Sequence, residues 1–456
     1  MRDLMLRAGG AIQALKPCWM MSPMSVAQYL EPGKLSFDLV IMDEASQIRR
    51  EEALGAIARS KKAVIVGDQW QLPPSPFFQR LSQGDLADDD EFEETKQDSV
   101  LEAAAGRFYP CRRLKWHYRS EHGSLIQFSN HEFYDDQLTV FPSPHYDHPE
   151  YGVSLEQTCG TYDSGLNEIE GKEVVAAAIK FMRGYPAQSL GIVAVNAKQA
   201  EFIREQLDRE CANDESAAAY VQKWEPTLES VFVKNLENVQ GDERDVIFIS
   251  TVYGKNREGK FYQRFGPING IYGHRRLNVL FTRAKKKVTV FTSMIPEEIE
   301  EEGKQWGVKV LKGYLQFARD GFVAIPTEQG ECESEFEEWV LQVLRAHGYQ
   351  AVPQVGVCGY RIDIAVRHPE KPSTYLCGVE CDGATYHSAR SVRERDRLRQ
   401  EILEKYGWKL YRIWSTDWFR NPNLQTNRLL TYLQQLQTPS AASSESSGLL
   451  STPPLF

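Results

Sequence analysis

The sequence lacks several patterns that would place it in a specialised class of protein. Its eight cysteines include no Cys-x-x-Cys pair, which argues against a zinc ribbon or a disulfide framework. No apolar run approaches the roughly 18 residues of a membrane span, and the charged N-terminus is a poor secretory signal. The chain carries 53 Lys and Arg against 63 Asp and Glu, a net charge of −10. We therefore expect a cytoplasmic protein that can bind nucleic acid only through local basic patches.

The first 325 residues or so alternate short apolar runs with helical patterns. Runs of this length are typical of strands that are buried on both faces of a parallel sheet. They lie at 37–42, 63–66, 190–195, 246–250 and 288–291. A helix at 2–15 and a further strand at 17–21 are predicted to precede them. The sequence therefore predicts two α/β units in this part of the chain.

The pattern changes in the C-terminal part. Ser334 and Glu337 form a capping box at the start of a predicted helix. YRIDIAV (360–366) and YLCGVECDG (375–383) flank a turn-like segment and predict a hairpin. A helix over 391–406 and a strand in LYRIW follow, which gives an α-β-β-α-β block.

These patterns predict four segments. Their bounds are 1–110, 111–325 and 328–436 for three α/β domains, and 437–456 for a disordered tail rich in Ser and Pro.

Two acidic strand ends suggest phosphate chemistry. FDLVIMDEASQ (37–47) places Asp43 and Glu44 at the end of an apolar run, and AVIVGDQWQLPPS (63–75) places Asp68 at the end of the next. Open α/β sheets form ligand sites at the carboxyl ends of their strands. A carboxylate there can hold Mg²⁺ while its neighbour orients a water for attack on a γ-phosphate. A solvated acidic pair at a strand end explains Asp43 and Glu44 about equally well on their own.

Five motifs together carry a family resemblance. DEASQ, GDQWQLPP, LKWHYR, VQGDERD and RRLNVLFTRAKKKVTV occur here in the order seen in superfamily 1 helicases of the AAA type. The sequence most resembles the group that includes the nonsense-mediated-decay helicase, over residues 16–293. The resemblance implies two RecA-like domains with ATP in the cleft between them.

The resemblance also implies roles for individual residues. Asp43 and Glu44 would be the Mg²⁺ and water residues, Asp68 would lie at the nucleotide, and Gln71 would sense the γ-phosphate. Further residues would act from the second RecA-like domain. Arg119 and Arg283 would be cationic fingers, and Gln240, Gly241 and Glu243 would couple the nucleotide to the nucleic acid.

The phosphate cradle of the family, GxxxxGK[ST], does not occur in the sequence. Only 42 residues precede Asp43, whereas the cradle of the family lies well before the DEAS motif. We therefore expect a partial first RecA-like domain, from a truncated chain or from one piece of a split protein. A companion polypeptide would then carry the cradle. An ATP-independent relative is a less favoured alternative.

The predicted C-terminal hairpin gathers carboxylates. Asp363 lies opposite Glu380 and Asp382 if the two strands pair, and like charges on one sheet face are unfavourable unless a cation offsets them. The sequence therefore suggests a Mg²⁺ site. Alternatively, arginines of the helix that follows neutralise the three carboxylates.

This block resembles PD-(D/E)xK nucleases, in particular very-short-patch-repair-like endonucleases. DGATYHS and RDRLRQEILEKYGWKLYRIWSTDW carry the strongest part of the likeness. By resemblance Asp363 and Glu380 would hold the metal, and Glu337 would match the acidic residue of the first helix unless it serves only the capping box. Asp382 replaces the usual Lys, and His387 could act as general base or metal ligand instead.

The expected function is ATP-driven helicase or translocase activity coupled to Mg²⁺-dependent endonuclease activity. DNA is favoured over RNA as the substrate, because the nuclease resemblance points to DNA. Two alternatives remain open. One is an ATP-independent nuclease whose RecA-like part only binds nucleic acid, and the other is an inactive fragment that acts as a binding scaffold.

Overall fold

The computed structural model describes residues 1–74, 99–145, 148–321, 331–356, 360–371, 373–383 and 390–437, with side chains omitted at 390–396. His387 and nearly all of the predicted tail lie outside these residues. The chain divides into two compact units. The first comprises Met1–Ser120, Ser124–Leu138 and the described part of Gly152–Val323. The second comprises Glu121–Gly123 and the described parts of Thr139–Tyr151 and Ala324–Phe456. The domain bounds predicted from the sequence remain a prediction.

Both units contain helices and strands. The strands are β1 (Val40–Met42), β2 (Ala63–Ile65), β3 (Trp116–His117), β4 (Thr139–Val140), β5 (Gly152–Gln157), β6 (Leu190–Ala194), β7 (Phe232–Asn235), β8 (Arg244–Ser250), β9 (Ala284–Thr292), β10 (Ala351–Val355), β11 (Ile362–Arg367), β12 (Tyr375–Asp382) and β13 (Leu410–Trp414). The helices are α1 (Arg2–Leu15), α2 (Pro23–Tyr29), α3 (Arg50–Ile57), α4 (Val100–Ala105), α5 (Ser124–Tyr134), α6 (Glu168–Gly184), α7 (Ala197–Ala212), α8 (Glu215–Trp224), α9 (Gly273–Phe281), α10 (Trp306–Asp320), α11 (Glu335–Ala346), α12 (Arg390–Lys405), α13 (Ser415–Arg420) and α14 (Pro422–Gln437). Within the described residues, none of these helices is both long and apolar enough to cross a membrane.

A five-stranded parallel sheet forms the centre of the first unit. Its strand order is β5-β9-β8-β6-β7. Every residue of β6 and β8 is buried, which explains why both strands read as continuous apolar runs rather than alternating ones. Helices α6 and α7 begin at asparagine caps, where the side chains of Asn167 and Asn196 accept backbone N–H bonds from the first turn. The predicted α/β class with a parallel sheet is confirmed.

A smaller parallel pair, β1 with β2, precedes this sheet in the chain. Val40 pairs with Ala63 and Met42 with Ile65, so the carboxyl ends of both strands lie at one edge. The strand predicted at 17–21 is wrong, because the described residues 16–22 form no regular element. Pro17 cannot donate to a ladder, and Trp19 instead packs edge-on against Phe37, with ring centroids 5.3 Å apart.

The second unit is built on the sheet β10-β11-β12-β13. The predicted hairpin is confirmed, since β11 and β12 pair antiparallel, and β13 then pairs parallel with β12. The α-β-β-α-β prediction was incomplete, because it omitted β10, α13 and α14. Pro353 obscured β10, and proline is tolerated there because β10 is the edge strand of this sheet. The separate C-terminal α/β domain is nevertheless confirmed.

Candidate nucleotide and nuclease sites

The carboxyl edge of β1 and β2 holds the first group of predicted site residues. Asp43 and Glu44 follow β1 directly, and both are exposed. The backbone N–H of Glu44 donates to Asp43 Oδ1 at 2.9 Å, and Gln47 Nε2 donates to Glu44 Oε2 at 3.3 Å. Glu44 has a φ of +51°, a left-handed conformation that is uncommon for residues other than glycine. The turn therefore presents two adjacent exposed carboxylates at the edge where ligands bind in open α/β sheets.

The loop after β2 contacts the later part of the first unit. Asp68 Oδ2 accepts hydrogen bonds from Tyr134 Oη at 2.6 Å and from Gln71 Nε2 at 3.4 Å. Gln71 Oε1 in turn accepts from Gln240 Nε2 at 3.3 Å. Three predicted site residues, separated by up to 172 positions (240 − 68), thus lie in one hydrogen-bonded chain. Gly241 has a φ of +88°, which only glycine adopts readily, and this turn follows Gln240 directly.

The two predicted arginine fingers lie beside Glu243. Arg119 Nε lies 2.8 Å from Glu243 Oε2, and Lys285 Nζ lies 3.4 Å from Glu243 Oε1. Burial would raise the pKa of Glu243, but Arg119 and Lys285 outweigh it and hold this pKa below its ordinary value. Arg283 is only 4% exposed and donates from Nε to the carbonyl oxygen of Val279 at 2.8 Å. The fold therefore brings Arg119, Arg283 and Glu243 together.

The pKa of Arg283 depends on its burial and on the charged groups near it. Burial, followed by the nearby Arg119, lowers the pKa of Arg283 to about 10, while Glu243 and Glu44 oppose this shift. The guanidinium is thus cationic at neutral pH, and Glu44 lies close enough to act on it electrostatically. Like-charged neighbours are unfavourable in a buried site, so this pair of arginines favours an anionic ligand.

Two residues that the sequence analysis missed support the arginines and the loop. His117 Nε2 lies 2.8 Å from Ser120 Oγ, and burial, followed by Arg119 and Arg283, lowers the pKa of His117 to about 3. His117 is therefore neutral at physiological pH and adds no third cation. Tyr134 holds Asp68, as described above, and burial raises its pKa. His117 is the first residue of the HYR motif, but no local signal singles out Tyr134.

Asp363 and Glu380 face each other in the second unit. Ile364 pairs with Val379, which sets Asp363 opposite Glu380 on adjacent strands. The backbone N–H of Cys381 donates to Asp363 Oδ2 at 2.6 Å, and Tyr360 Oη donates to Glu380 Oε1 at 3.2 Å.

The two carboxylates disfavour each other's ionisation. Burial raises the pKa of both groups, Asp363 raises that of Glu380 further, and Glu337 raises that of Asp363. A proton or a cation would relieve this pair.

Asp382 has a different partner. Arg412 Nε lies 3.1 Å from Asp382 Oδ2. The arginine comes from β13, not from the helix that the sequence analysis considered. Within the described residues, no group of three or more His, Cys, Asp or Glu side chains could hold a metal ion. The described part of the site therefore offers two facing carboxylates rather than a cluster of three, and His387 lies outside it.

Glu337 makes half of the predicted capping box, the bond from its backbone N–H to Ser334, while its carboxylate has other partners. Its backbone N–H donates to Ser334 Oγ at 3.2 Å, and its Oε1 accepts from Ser334 Oγ at 2.9 Å. Oε2 accepts from the backbone N–H of Glu333 at 2.9 Å and from Gln354 Nε2 at 2.8 Å. Gln354, which the sequence analysis missed, is buried and has a φ of +52°. A catalytic role for Glu337 stays a prediction.

The family comparisons agree with the motifs. Two AAA domain models match residues 24–77 and 96–294, and the model REase_MTES_1575 matches residues 336–433. The resemblance to superfamily 1 helicases with an endonuclease-like domain is confirmed. The helicase resemblance thus covers the first two matched segments and the endonuclease resemblance covers the third.

Similar proteins include several helicases. The uncharacterized ATP-dependent helicase MG140 homolog of Mycoplasma pneumoniae is 29% identical over 443 residues, which is 90% of this chain and 38% of that protein. The Drosophila melanogaster homolog of regulator of nonsense transcripts 1 is 24% identical over 275 residues, which is 56% of this chain and 20% of that protein. The chain therefore spans well under half the length of these helicase relatives.

Two solved structures share low similarity with the chain. The match to the helicase of PRRSV covers 59% of this chain and 37% of the PRRSV chain, at 15% identity and a TM-score of 0.28. The C-terminal domain of a possible DNA helicase from Lactobacillus plantarum covers 38% of this chain and 86% of its own, at 15% identity and a TM-score of 0.21.

Proposed function

We propose that this chain supplies part of an ATP-driven helicase or translocase, and that its C-terminal domain is a metal-dependent endonuclease. The observation that carries the ATP-dependent part is the meeting of Arg119, Arg283 and Glu243 from distant positions of the chain. Transfer of a phosphoryl group spreads negative charge over its oxygens, and cationic side chains stabilise that charge. The helicase names of the relatives support the same activity. DNA is favoured as the substrate because the third domain resembles an endonuclease.

Each residue of the nucleotide site then has a role. Asp43 is the carboxylate that would hold Mg²⁺, since exposed carboxylate oxygens are ligands this cation prefers. When bound, Mg²⁺ neutralises charge on the phosphate oxygens. Glu44 orients the attacking water, and Gln71, which touches both Asp68 and Gln240, responds to the γ-phosphate. Arg119 and Arg283 stabilise the charge that develops.

The phosphate cradle comes, in this proposal, from a companion polypeptide. The motif GxxxxGK[ST] does not occur in residues 1–456. Apolar side chains near and on β1 and β2 are also unusually exposed for strands, with Ile41 64%, Val64 45% and Leu39 45% exposed. Apolar strands without cover tend to recruit a further strand or another chain. The exposed face of β1 and β2 is therefore where the cradle segment would dock.

An ATPase assay tests the nucleotide site. We expect the chain alone to show no ATP hydrolysis with single-stranded DNA, because the phosphates lack their backbone cradle. Turnover should appear when a polypeptide carrying GxxxxGK[ST] from a helicase relative is added, and Glu44→Gln should abolish it. Glu51→Gln, a change on the exposed surface of α3, is the matched control.

The outcomes separate the parts of the proposal. Robust turnover by the chain alone would contradict the companion polypeptide. No turnover with any such polypeptide, with DNA or with RNA, would contradict ATP-driven activity.

The nuclease proposal rests on the facing carboxylates. Asp363 and Glu380 are two half-buried acids that disfavour each other's ionisation, and a divalent cation offsets such repulsion. They are the residues that would hold the metal, which when bound supplies Lewis-acid charge to a phosphodiester. Asp382, paired with Arg412, stands where the related nucleases have Lys, and His387 is the proposed general base or a further metal ligand.

An ATP-independent nuclease is the second candidate function. The observation that favours it is that Asp363, Glu380, Tyr360 and Arg412 all belong to the second unit. Cleavage of DNA by the full chain with Mg²⁺ or Mn²⁺, compared with and without ATP, distinguishes the two functions. Equal rates would favour the ATP-independent nuclease, and an ATP requirement would exclude it.

A further inference from the structure

A basic and aromatic loop lies between α4 and β3. Residues 106–115 read GRFYPCRRLK, and every one of them is exposed. Phe108 is 57% exposed, Tyr109 84% and Leu114 86%. The loop carries four cations and no acid, in a chain whose net charge is −10. A local basic patch of this kind is what an acidic protein needs to contact a polyanion.

Both ends of the loop are anchored. On the N-terminal side, Ser99 and Glu102 form a capping box that starts α4, and Glu102 pairs with Arg275 at 3.2 Å. On the C-terminal side, Arg113 Nη1 lies 3.5 Å from the carbonyl oxygen of Tyr134. The anchors fix the two ends of the loop on the first unit, while the residues between them remain accessible to solvent.

The exposed aromatic rings are not explained by the fold. Single exposed apolar side chains are common on protein surfaces, but here Phe108 and Tyr109 are adjacent and Tyr118, three residues beyond the loop, is 62% exposed. Three cations lie between Tyr109 and Tyr118 in the sequence, and Arg107 precedes Phe108. Aromatic faces combined with a positively charged track are the arrangement by which proteins bind single strands, because each base offers a π-face and each linkage a phosphate.

We propose that loop 106–115 binds single-stranded nucleic acid, with Phe108 and Tyr109 stacking on bases and Arg107, Arg112 and Lys115 contacting phosphates. Bases within a duplex already stack on each other, so exposed rings favour a single strand. DNA and RNA share this chemistry. The inference deepens the proposed function, because it names a surface through which the proposed helicase contacts its substrate.

The local charges agree with this assignment. Glu102, the acid of α4 just before the loop, forms an ion pair with Arg275. Asp135 lies 4.0 Å from Arg113. Arg107, Arg112 and Lys115 are exposed, and none of them is among the ion pairs of the described residues. These three side chains are therefore the ones assigned to phosphates, and Arg113 is assigned to anchoring.

Fluorescence anisotropy with the full chain tests the loop. The probes are labelled oligo-dT and oligo-U of about 20 nucleotides, long enough to exceed a binding site of 4–16 nucleotides. EDTA is present and ATP is omitted, so neither hydrolysis nor cleavage contributes. We expect Phe108→Ala/Tyr109→Ala to weaken binding about tenfold or more while leaving the salt dependence of the affinity unchanged.

The cationic variant should behave differently. For single strands, each neutralised phosphate contributes about −0.7 to the slope of log K against log salt. Arg107→Gln/Arg112→Gln/Lys115→Gln should therefore reduce the magnitude of that slope by about 2. The matched controls are Tyr262→Ala, whose side chain is 57% exposed like that of Phe108, and Lys34→Gln/Lys304→Gln/Lys309→Gln, which removes three exposed cations elsewhere. Both controls should bind as the parent does.

Each result decides something. If the parent binds and both loop variants bind equally well, the loop assignment is overturned, although the nucleic-acid substrate of the proposed function stands. If the parent binds neither probe, the loop and the proposed substrate both fail. If the cationic variant loses affinity but the aromatic variant does not, the stacking contacts are wrong. Unequal affinities for oligo-dT and oligo-U identify the preferred strand.

Discussion

The two candidate sites balance their charges in opposite ways. In the first unit, Glu243 is flanked by Arg119 and Lys285 at 2.8 Å and 3.4 Å, and the arginines are held close to acids. In the second unit, Asp363 and Glu380 are half-buried, face each other and accept hydrogen bonds from a backbone N–H and a tyrosine. The first site sets its cations beside acids, whereas the second leaves two carboxylates facing each other and needs a proton or a cation.

This difference indicates what each site binds. A site whose fold holds arginines close together is preorganised for an anion such as a phosphate group. A site that holds carboxylates together in a low-dielectric environment favours a hard cation. In the proposed function, the first site acts on a nucleotide and the second on a nucleic-acid backbone.

The largest expected effect is the loss of cleavage on removing one carboxylate charge. Asp363→Asn keeps an acceptor for the N–H of Cys381 but removes a proposed metal ligand. We expect DNA cleavage with Mg²⁺ to be abolished, as it should be when EDTA removes the metal from the parent. The melting temperature without metal should not fall, because one of two mutually repelling charges is gone.

The control for this change is Glu370→Gln, an exposed acid in the turn of the same hairpin. It should cleave at the rate of the parent. Parent-like cleavage by Asp363→Asn would show that the metal site in the second unit is wrong and would remove one side of the comparison.

The arginines of the first unit carry the next largest effect. In the ATPase reconstituted with the companion polypeptide, Arg119→Ala should lower kcat on the order of 10³-fold, with a smaller effect on KM for ATP. Arg283→Lys should lower kcat too, because lysine keeps the charge but loses the planar fork of donors. Arg209→Ala, on the exposed surface of α7, is the control. An unchanged kcat would make the arginine structural.

Much of this arrangement could be predicted from the sequence, because it depends on patterns within short segments of the chain. Strands buried on both faces read as apolar runs, so β6 and β8 were predicted to within one or two residues at most of their ends. The acidic strand ends could be predicted for the same reason, because they come directly after the apolar runs of β1 and β2. The hairpin of β11 and β12 was also predicted, because its alternation and its turn lie within one short segment.

The remainder depends on contacts between distant residues. Tyr134 holds Asp68 from 66 positions away, and no property of its helix marks it in advance. Arg412 reaches Asp382 because β13 pairs parallel with β12 in a register that sets Glu380 beside Arg412. A register between strands separated by a helix cannot be read from either strand alone. The neutralising arginine was therefore predicted to come from the adjacent helix, whereas it comes from β13.

A fully buried carboxylate in the first unit, Glu170, adds a pH-dependent test to the comparison. Glu170 is fully buried and accepts hydrogen bonds from the N–H of Val252 and from Ser250 Oγ, both at 2.7 Å. Burial raises the pKa of Glu170 to about 7, although these hydrogen bonds oppose the shift. The folded chain then binds more protons than the unfolded chain between about pH 4.5 and 7. The free energy of unfolding should therefore fall as the pH rises through that window.

Urea denaturation at pH 5 and at pH 7.5 measures this effect. From pH 5 to pH 7.5 the parent should lose about 2.4 kcal/mol more than Glu170→Gln, which cannot ionise. Glu168→Gln, at the exposed start of the same helix, should show the pH dependence of the parent. An identical pH dependence in the parent and in Glu170→Gln would mean that the hydrogen bonds fully offset burial.

The smallest expected effect concerns the ion pair that borders the carboxylates of the second unit. Asp382 and Arg412 have side chains that are 17% and 35% exposed, so solvent screens their attraction in part. A double-mutant cycle of Asp382→Asn and Arg412→Gln should give a coupling energy of up to about 1 kcal/mol that shrinks in high salt. Asp382→Lys restores the residue usual in the related nucleases, but it places a cation beside Arg412.

We therefore expect Asp382→Lys to destabilise the chain and the added change Arg412→Glu to restore stability. If the double variant cleaves DNA as the parent does, Asp382 holds no metal and serves to neutralise Arg412. If cleavage is lost although stability returns, Asp382 is itself a metal ligand. The second site then binds its cation through three carboxylates. A zero coupling energy would instead mean that the charge of Arg412 is balanced elsewhere.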